Sequence, residues 1–213
     1  MVKSVSMGDM LSLCELMVMK TYKKGSEIHG RFDESNRIYF LTMGHVKIGN
    51  WRDDRFLLKY TLGKGNIFGE SKIVSGENPL PYSAIAMTDC LVCFIEVNKM
   101  EKLIEQFPKL HNFILKIAGL KLRKIETRLE DILYKDAPSR IHDFLFDYVK
   151  ENAEEEDSRT FARNIFSHNE IAKLTLTSRQ TVNNVISQLR ESGDLVYSTK
   201  EIEMSPQDLS FKK

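Results

Sequence analysis

Between Tyr22 and Val97, apolar positions come in short runs broken by Gly, Asn, Asp and Pro. The runs fall at residues 38–43, 46–48, 56–60, 67–69, 82–87 and 91–97. Each predicts a strand, and short strands so closely punctuated predict a β-sandwich or barrel. Gly44, Gly63 and Gly65 stand where the chain turns. Proline lacks an N–H for a ladder, so Asn78-Pro79-Leu80-Pro81 predicts a loop.

After Asn98 the period lengthens. Asn98 predicts the cap of a short helix over 99–106 that ends before Pro108. From 109 to 135 no proline appears, and a long helix is expected. Leu115, Ala118, Leu122, Ile125, Leu129 and Ile132 are spaced 3, 4, 3, 4, 3 along it. That is the seam of a coiled coil and predicts a dimer; packing within its own domain is the alternative. A second set, Phe113, Ile117 and Leu120, predicts contact with the β-domain.

Asp136-Ala137-Pro138 predicts a break, with Pro138 in the first turn of a new helix. Ile141, Phe144, Leu145, Tyr148 and Val149 recur at helical spacing as far as Lys150. The acidic run 151–157 predicts a solvated loop. Phe161, Arg163 and Ile165 predict a short strand.

Two helix starts follow. Ser167-x-x-Glu170 has the form of a capping box, and Thr177-x-x-Gln180 repeats it ten residues on. Ile171, Ala172 and Leu174 follow the first; Val182, Val185, Ile186 and Leu189 follow the second, which stops near Gly193. Two short helices with a few residues between them predict a helix-turn-helix. The second offers Ser178, Arg179, Gln180, Asn183, Asn184 and Gln188 outward. Arg suits guanine edges, and Asn or Gln suits adenine. Residues 195–197 and 201–204 predict a hairpin with Ser198-Thr199-Lys200 at its tip, a wing.

Composition alters this picture little. The 213 residues are 42% hydrophobic and 29% charged, an ordinary globular balance. Net charge is +1, so a nucleic-acid binder must concentrate its positive charge locally. Residues 137–213 carry ten Lys/Arg and thirteen Asp/Glu, but five of those acids lie in the run 151–157. Cys14, Cys90 and Cys93 predict free thiols in a reducing cytoplasm. No secretory leader and no membrane-length apolar run are expected. His29 and His45 have no partner at metal-ligand spacing, and Cys90 and Cys93 point to opposite faces of a strand. Neither a nucleophile–base pair nor a carboxylate pair supports an enzyme. No cofactor is expected.

The chain resembles the CRP/FNR family of bacterial transcription regulators. Ile171-Ala172, Thr177-Ser178-Arg179-Gln180-Thr181-Val182 and Leu189 with Gly193 carry the likeness in the C-terminal half. Gly25, Tyr39-Phe40-Leu41, Gly44, Val46-Lys47, Gly65 and Phe68-Gly69-Glu70 carry it in the N-terminal half. The resemblance implies an α+β chain: a double-stranded β-helix (jelly-roll) sensor over 1–108, a dimerisation helix over 109–136, and a winged helix-turn-helix over 137–213. It implies double-stranded DNA, a second copy of the chain and RNA polymerase as partners, a small-molecule effector of unknown identity, and no membrane. Ser167, Lys173, Thr175, Thr177, Ser178 and Lys200 are expected at phosphates, and Arg179, Gln180, Asn183 and Asn184 at bases. Gly69, Glu70, Tyr82 and Ser83 are the effector-site candidates. The expected dimer seam is Leu115, Ala118, Leu122, Ile125, Leu129 and Ile132. A ligand-binding module whose winged domain contacts protein is the alternative.

Departures from the family pattern carry information. Cyclic-nucleotide binders place Arg-Ser where this chain has Tyr82-Ser83, and the base-side positions of the long helix are Ile125 and Glu126. Tyr cannot neutralise a phosphate, so cyclic AMP is not the expected effector. The iron–sulfur type needs clustered N-terminal cysteines, and only Cys14 is there. Gln180 and Asn184 replace an acidic and a basic reader, which predicts a different operator. Leu176 stands where the turn normally has Gly; a left-handed residue with a β-carbon costs about 1 kcal/mol.

Overall fold

The computed structural model describes residues 15–30, 33, 36–74, 82–156 and 159–205. The predicted 78–81 loop, Cys14 and the last eight residues lie outside them. The chain divides into two compact units, residues 1–126 and 127–213.

In the first unit two antiparallel four-stranded sheets face each other. One has the order β1-β8-β3-β6 and the other β2-β7-β4-β5. The strands are β1 (Val18–Tyr22), β2 (Glu27–His29), β3 (Arg37–Met43), β4 (Val46–Arg52), β5 (Arg55–Leu62), β6 (Ile67–Phe68), β7 (Ser83–Ala86) and β8 (Cys90–Glu96). Tyr39, Leu41, Phe68 and Val92 from one sheet meet Ile28, Val46, Ile48, Leu62 and Ala84 from the other. The other face of β3 and β8 presents Ile38 and Ile95 to a second core. β3 is therefore covered on both sides, which is why its sequence is a continuous apolar run and not an alternation.

β1 and β2 were not expected from the apolar pattern. Val18–Lys20 are exposed, and β1 pairs only with β8 at the sheet edge. An edge strand open to solvent leaves little period-2 signal. The β4–β5 hairpin closes on Asp53-Asp54, with φ of 48° and 57°. Two left-handed residues in a two-residue loop match the twist of the strands they join.

Helix α1 is Ser71–Val74, α2 is Val97–Gln106 and α3 is Pro108–Tyr134. Asn98 is not the cap of α2: that position is Glu96, and no side chain caps it. Pro108 opens α3, a place where its missing N–H costs nothing. The stripe that fastens α3 to the β-roll is Leu110 and Ile114, fully buried, flanked by half-buried Phe113 and Ile117. Leu120 is 53% exposed and does not belong to it, because Leu110, Ile114 and Ile117 set the buried phase and the next position of that phase is Lys121. Along the seam Leu122, Ile125 and Leu129 are 58%, 58% and 56% exposed. Leu115 and Ile132 are also exposed and Ala118 is half-buried.

The second unit is built on α4 (Ala137–Asn152), α5 (His168–Thr175), α6 (Arg179–Glu191) and a sheet of order β11-β12-β10-β9. Its strands are β9 (Glu154–Glu156), β10 (Arg159–Arg163), β11 (Leu195–Tyr197) and β12 (Glu201–Met204). Asp136 caps α4, accepting from Ser139 N–H at 2.9 Å. The acidic run is not simply a loop: α4 runs to Asn152, and Glu154–Glu156 pairs with β10. Tertiary pairing offsets a poor strand composition there, helped by Arg163 at 3.2 Å from Glu154. Ile165 falls outside β10. The core gathers Ile141, Leu145, Val149, Phe161, Ile171, Val182, Ile186 and Ile202, all buried. Tyr148 stacks edge-on to Phe166 and donates to Arg163 O at 2.7 Å.

Candidate functional site

α6 is positioned by its buried stripe. Val182, Val185 and Ile186 face inward, and this leaves Arg179, Gln180, Asn183 and Asn184 exposed on the opposite side. The corner before it is defined by hydrogen bonds. Ser167 and Glu170 form the expected reciprocal capping box at the start of α5. At the start of α6 the expected device is absent. Ser178, not Thr177, is the cap: its hydroxyl accepts from Thr181 N–H at 3.0 Å. Thr177 and Ser178 are both good capping residues, and only the backbone path decides between them.

Leu176 has φ 52°, so the turn keeps the left-handed geometry and the chain bears the β-carbon cost. Thr177 N–H donates to Ala172 O at 2.9 Å, closing the end of α5. Arg140 on α4 donates from Nε to Thr175 O at 3.0 Å and from Nη2 to Leu176 O at 3.3 Å. A charged donor on the open carbonyls of a helix end is favourable both as a hydrogen bond and against the dipole. Lys135, at the end of α3, lies 2.6 Å from both Asp131 and Asp143, and those bonds raise its pKa well above the ordinary lysine range.

Among the expected phosphate contacts, Ser167, Lys173, Ser178 and Lys200 are exposed and Thr177 is half-exposed. Thr175 is a correction: it is 5% exposed and its hydroxyl donates to Ile171 O at 2.9 Å. A β-hydroxyl in the last turn of a helix finds its own backbone first. Ser198, Thr199 and Lys200 form the tip between β11 and β12, as expected, and the Ser198 hydroxyl accepts from Lys200 N–H and Glu201 N–H. One residue of this region carried no sequence signal. His168, the first residue of α5, bonds through Nδ1 to Asn183 Oδ1.

The effector-site candidates cluster inside the β-roll. Gly69 ends β6 at φ 87°, and a β-carbon there would lie 2.7 Å from Arg37 O. Its N–H donates to the Tyr82 hydroxyl at 2.8 Å. Burial raises the Tyr82 pKa far above its ordinary value, and burial beside Glu70 pushes Tyr60 up to about 12. Glu70 is 7% exposed and its Oε1 lies 2.6 Å from Lys121 Nζ, which also donates to Ile67 O at 2.6 Å. The Glu70 Oε2 and Ser83 Oγ atoms form no hydrogen bond among the described residues. The sequence reading missed Lys121; its only signal was a lysine in phase with the Leu110–Ile114 stripe.

His29 is fully buried between Tyr39 and Tyr82, with Nδ1 3.4 Å from Asp33 Oδ2. Burial lowers its pKa against the pull of Asp33. Cys90 is buried, with its thiol pKa raised by burial, and Cys93 is half-buried; both are free. The described residues contain no cluster of three or more His, Cys, Asp or Glu fit to hold a metal. No helix among them is long and apolar enough to cross a membrane.

Residues 19–107 match the cyclic nucleotide-binding domain family. The CRP-like cAMP-activated global transcriptional regulator of Mycobacterium tuberculosis is 24% identical over 86% of this chain and 82% of its own length. The global nitrogen regulator of Synechococcus elongatus is 24% identical over 86% of this chain and 84% of its own. Both likenesses run well past the β-roll into the winged unit. The chain carries a cyclic nucleotide-binding domain and is similar along most of its length to CRP/FNR-type transcription regulators. FixK2 from Bradyrhizobium japonicum shares the fold, at a TM-score of 0.76 and 20% identity over 91% of this chain and 94% of that one. The relatives are regulators, a non-enzymatic family.

Proposed function

We propose that this CRP/FNR-type regulator binds double-stranded DNA sequence-specifically as a homodimer, without a cyclic nucleotide. The observation that carries the reading is the exposed face of α6: Arg179, Gln180, Asn183 and Asn184, beside a capped corner and a wing. Arg179 reads guanine, and Gln180, Asn183 and Asn184 read further base edges. Ser167, Lys173, Thr177, Ser178 and Lys200 hold phosphates, which fix register but carry no sequence information.

Residues 109–136 pair two copies through Leu115, Ala118, Leu122, Ile125, Leu129 and Ile132. Five of these six are exposed apolar side chains in a heptad pattern, and a partner helix is the natural cover. Residues 1–108 act as the sensor unit and 137–213 as the reader, in the cytoplasm, with RNA polymerase as the onward partner by family kinship.

The β-roll does not take a cyclic nucleotide in this reading. The Gly69 N–H and one Glu70 oxygen, both among the effector-site candidates, are engaged by Tyr82 and Lys121. No arginine is present at position 82 to meet a phosphate. The M. tuberculosis relative is named for activation by cAMP; here millimolar cyclic AMP is expected to leave the melting temperature and DNA affinity unchanged.

The test is selection of bound sequences from a random DNA pool, with purified protein and no added ligand. The expected outcome is a two-fold symmetric site with half-sites about 34 Å apart, lost when Leu122 and Leu129 are both changed to Asp. Absence of any enriched sequence, with and without a metabolite extract, would overturn the reading.

A further inference from the structure

We infer that His168 determines base specificity by holding the Asn183 amide in one orientation, so that Asn183 meets DNA as a hydrogen-bond donor. The inference rests on the reading of α6 as the base-reading helix.

His168 sits where three elements meet. It is the first residue of α5, next to the Ser167 cap, so its backbone is defined by the capping box. Its Nδ1 bonds to Asn183 Oδ1 on the exposed face of α6. Its ring lies 5.4 Å from the Tyr197 ring on β11, at the base of the wing. His168 is half-buried while Asn183 is exposed, so the bond fastens a reader to the body of the domain. Of the four candidate base readers, Arg179, Gln180 and Asn184 form no side-chain hydrogen bond among the described residues; Asn183 alone is fastened.

The chemistry of an amide makes that bond consequential. One end of the Asn side chain accepts and the other donates twice, and a half-turn about the last torsion exchanges them. An untethered Asn can present either end and tolerates several bases. With Oδ1 turned to His168, the Nδ2 amino group is the end left for the groove. It suits the acceptors of guanine, or the O4 of thymine or N7 of adenine, and it opposes the N4 donor of cytosine. Fixing the side chain before binding also lowers the ordering cost of the contact.

The experiment measures affinities for the selected site with all four bases placed in turn at each position. Wild-type protein, His168→Ala, His168→Gln, Asn183→Ala and the double variant His168→Ala/Asn183→Ala are compared. At one base pair per half-site the wild type should disfavour cytosine by roughly 5-fold, the worth of one neutral hydrogen bond. His168→Ala should abolish that preference there and leave discrimination at the Arg179 position intact. His168→Gln, which keeps a donor towards Asn183, should restore part of it. The double variant should behave as Asn183→Ala does, since the two residues act as one unit.

Unchanged preferences in His168→Ala would overturn the inference, as would an equal loss at every position, which indicates a purely structural role. If the wild type shows no base preference at any position, the DNA-reading proposal itself fails, and that result is distinct from either of these.

Discussion

The β-roll interior and helix α6 both carry polar side chains and hold them in opposite ways. Inside the β-roll Gly69 N–H donates to the Tyr82 hydroxyl, and Glu70 meets Lys121 of α3. On α6, Arg179, Gln180 and Asn184 face solvent, and of these four candidate readers Asn183 alone is fastened among the described residues. Burial explains the contrast. A carboxylate that is 7% exposed must be paired, because removal from water costs several kcal/mol per ion. An exposed guanidinium has no such need and is left for a partner. Burial therefore makes a scaffold of the polar groups in one unit and leaves those on the α6 face of the other open to solvent.

The largest test of this contrast is Lys121→Met. It leaves the Glu70 carboxylate buried without its ammonium, and unfolding stability should drop by about 3 kcal/mol, read from the urea midpoint. A drop within error would mean that Glu70 is as well solvated as the surface residues, and the contrast would collapse. Arg179→Ala should do the reverse. It should cost about 1–3 kcal/mol in binding to the selected DNA, relax specificity at one position, and leave the melting temperature unchanged.

Leu176→Gly sharpens the comparison at smaller scale. The left-handed φ of 52° penalises a β-carbon, and at 54% exposure the leucine packs little. Replacement should stabilise the winged unit by about 1 kcal/mol in thermal melts. The smallest effect concerns His29. Its folded pKa is lowered from 6.5, so below that pH the unfolded chain binds the proton first. Stability contributed by neutral His29 is complete above pH 6.5 and is lost as pH falls through the folded value. His29→Leu should flatten that part of the stability profile between neutral and mildly acidic pH.

Much of the architecture was legible because it is periodic. β3 and β8 announced themselves as unbroken apolar runs since both faces of each are covered. The 3-4 spacing along α3 marked a stripe that is exposed in the single chain, and the wing strands fell at the expected residues. β1 left no pattern because it lies exposed at an edge, and β9 formed from glutamates because β10 offered a ladder. The capping residue of α6 was misplaced by one, since Thr177 and Ser178 are chemically interchangeable as caps.

By itself the sequence determined the class of most elements, the two short helices with the hairpin that follows them, and the missing arginine at position 82. These depend on local propensity and on period, which neighbouring residues alone express. Only the tertiary structure decided what each polar group does. Lys121 reaches Glu70 across 51 positions of chain, and His168 reaches Asn183 across 15. A hydrogen bond is a statement about distance in space, and spacing along a chain carries no trace of it once the partners lie on different elements.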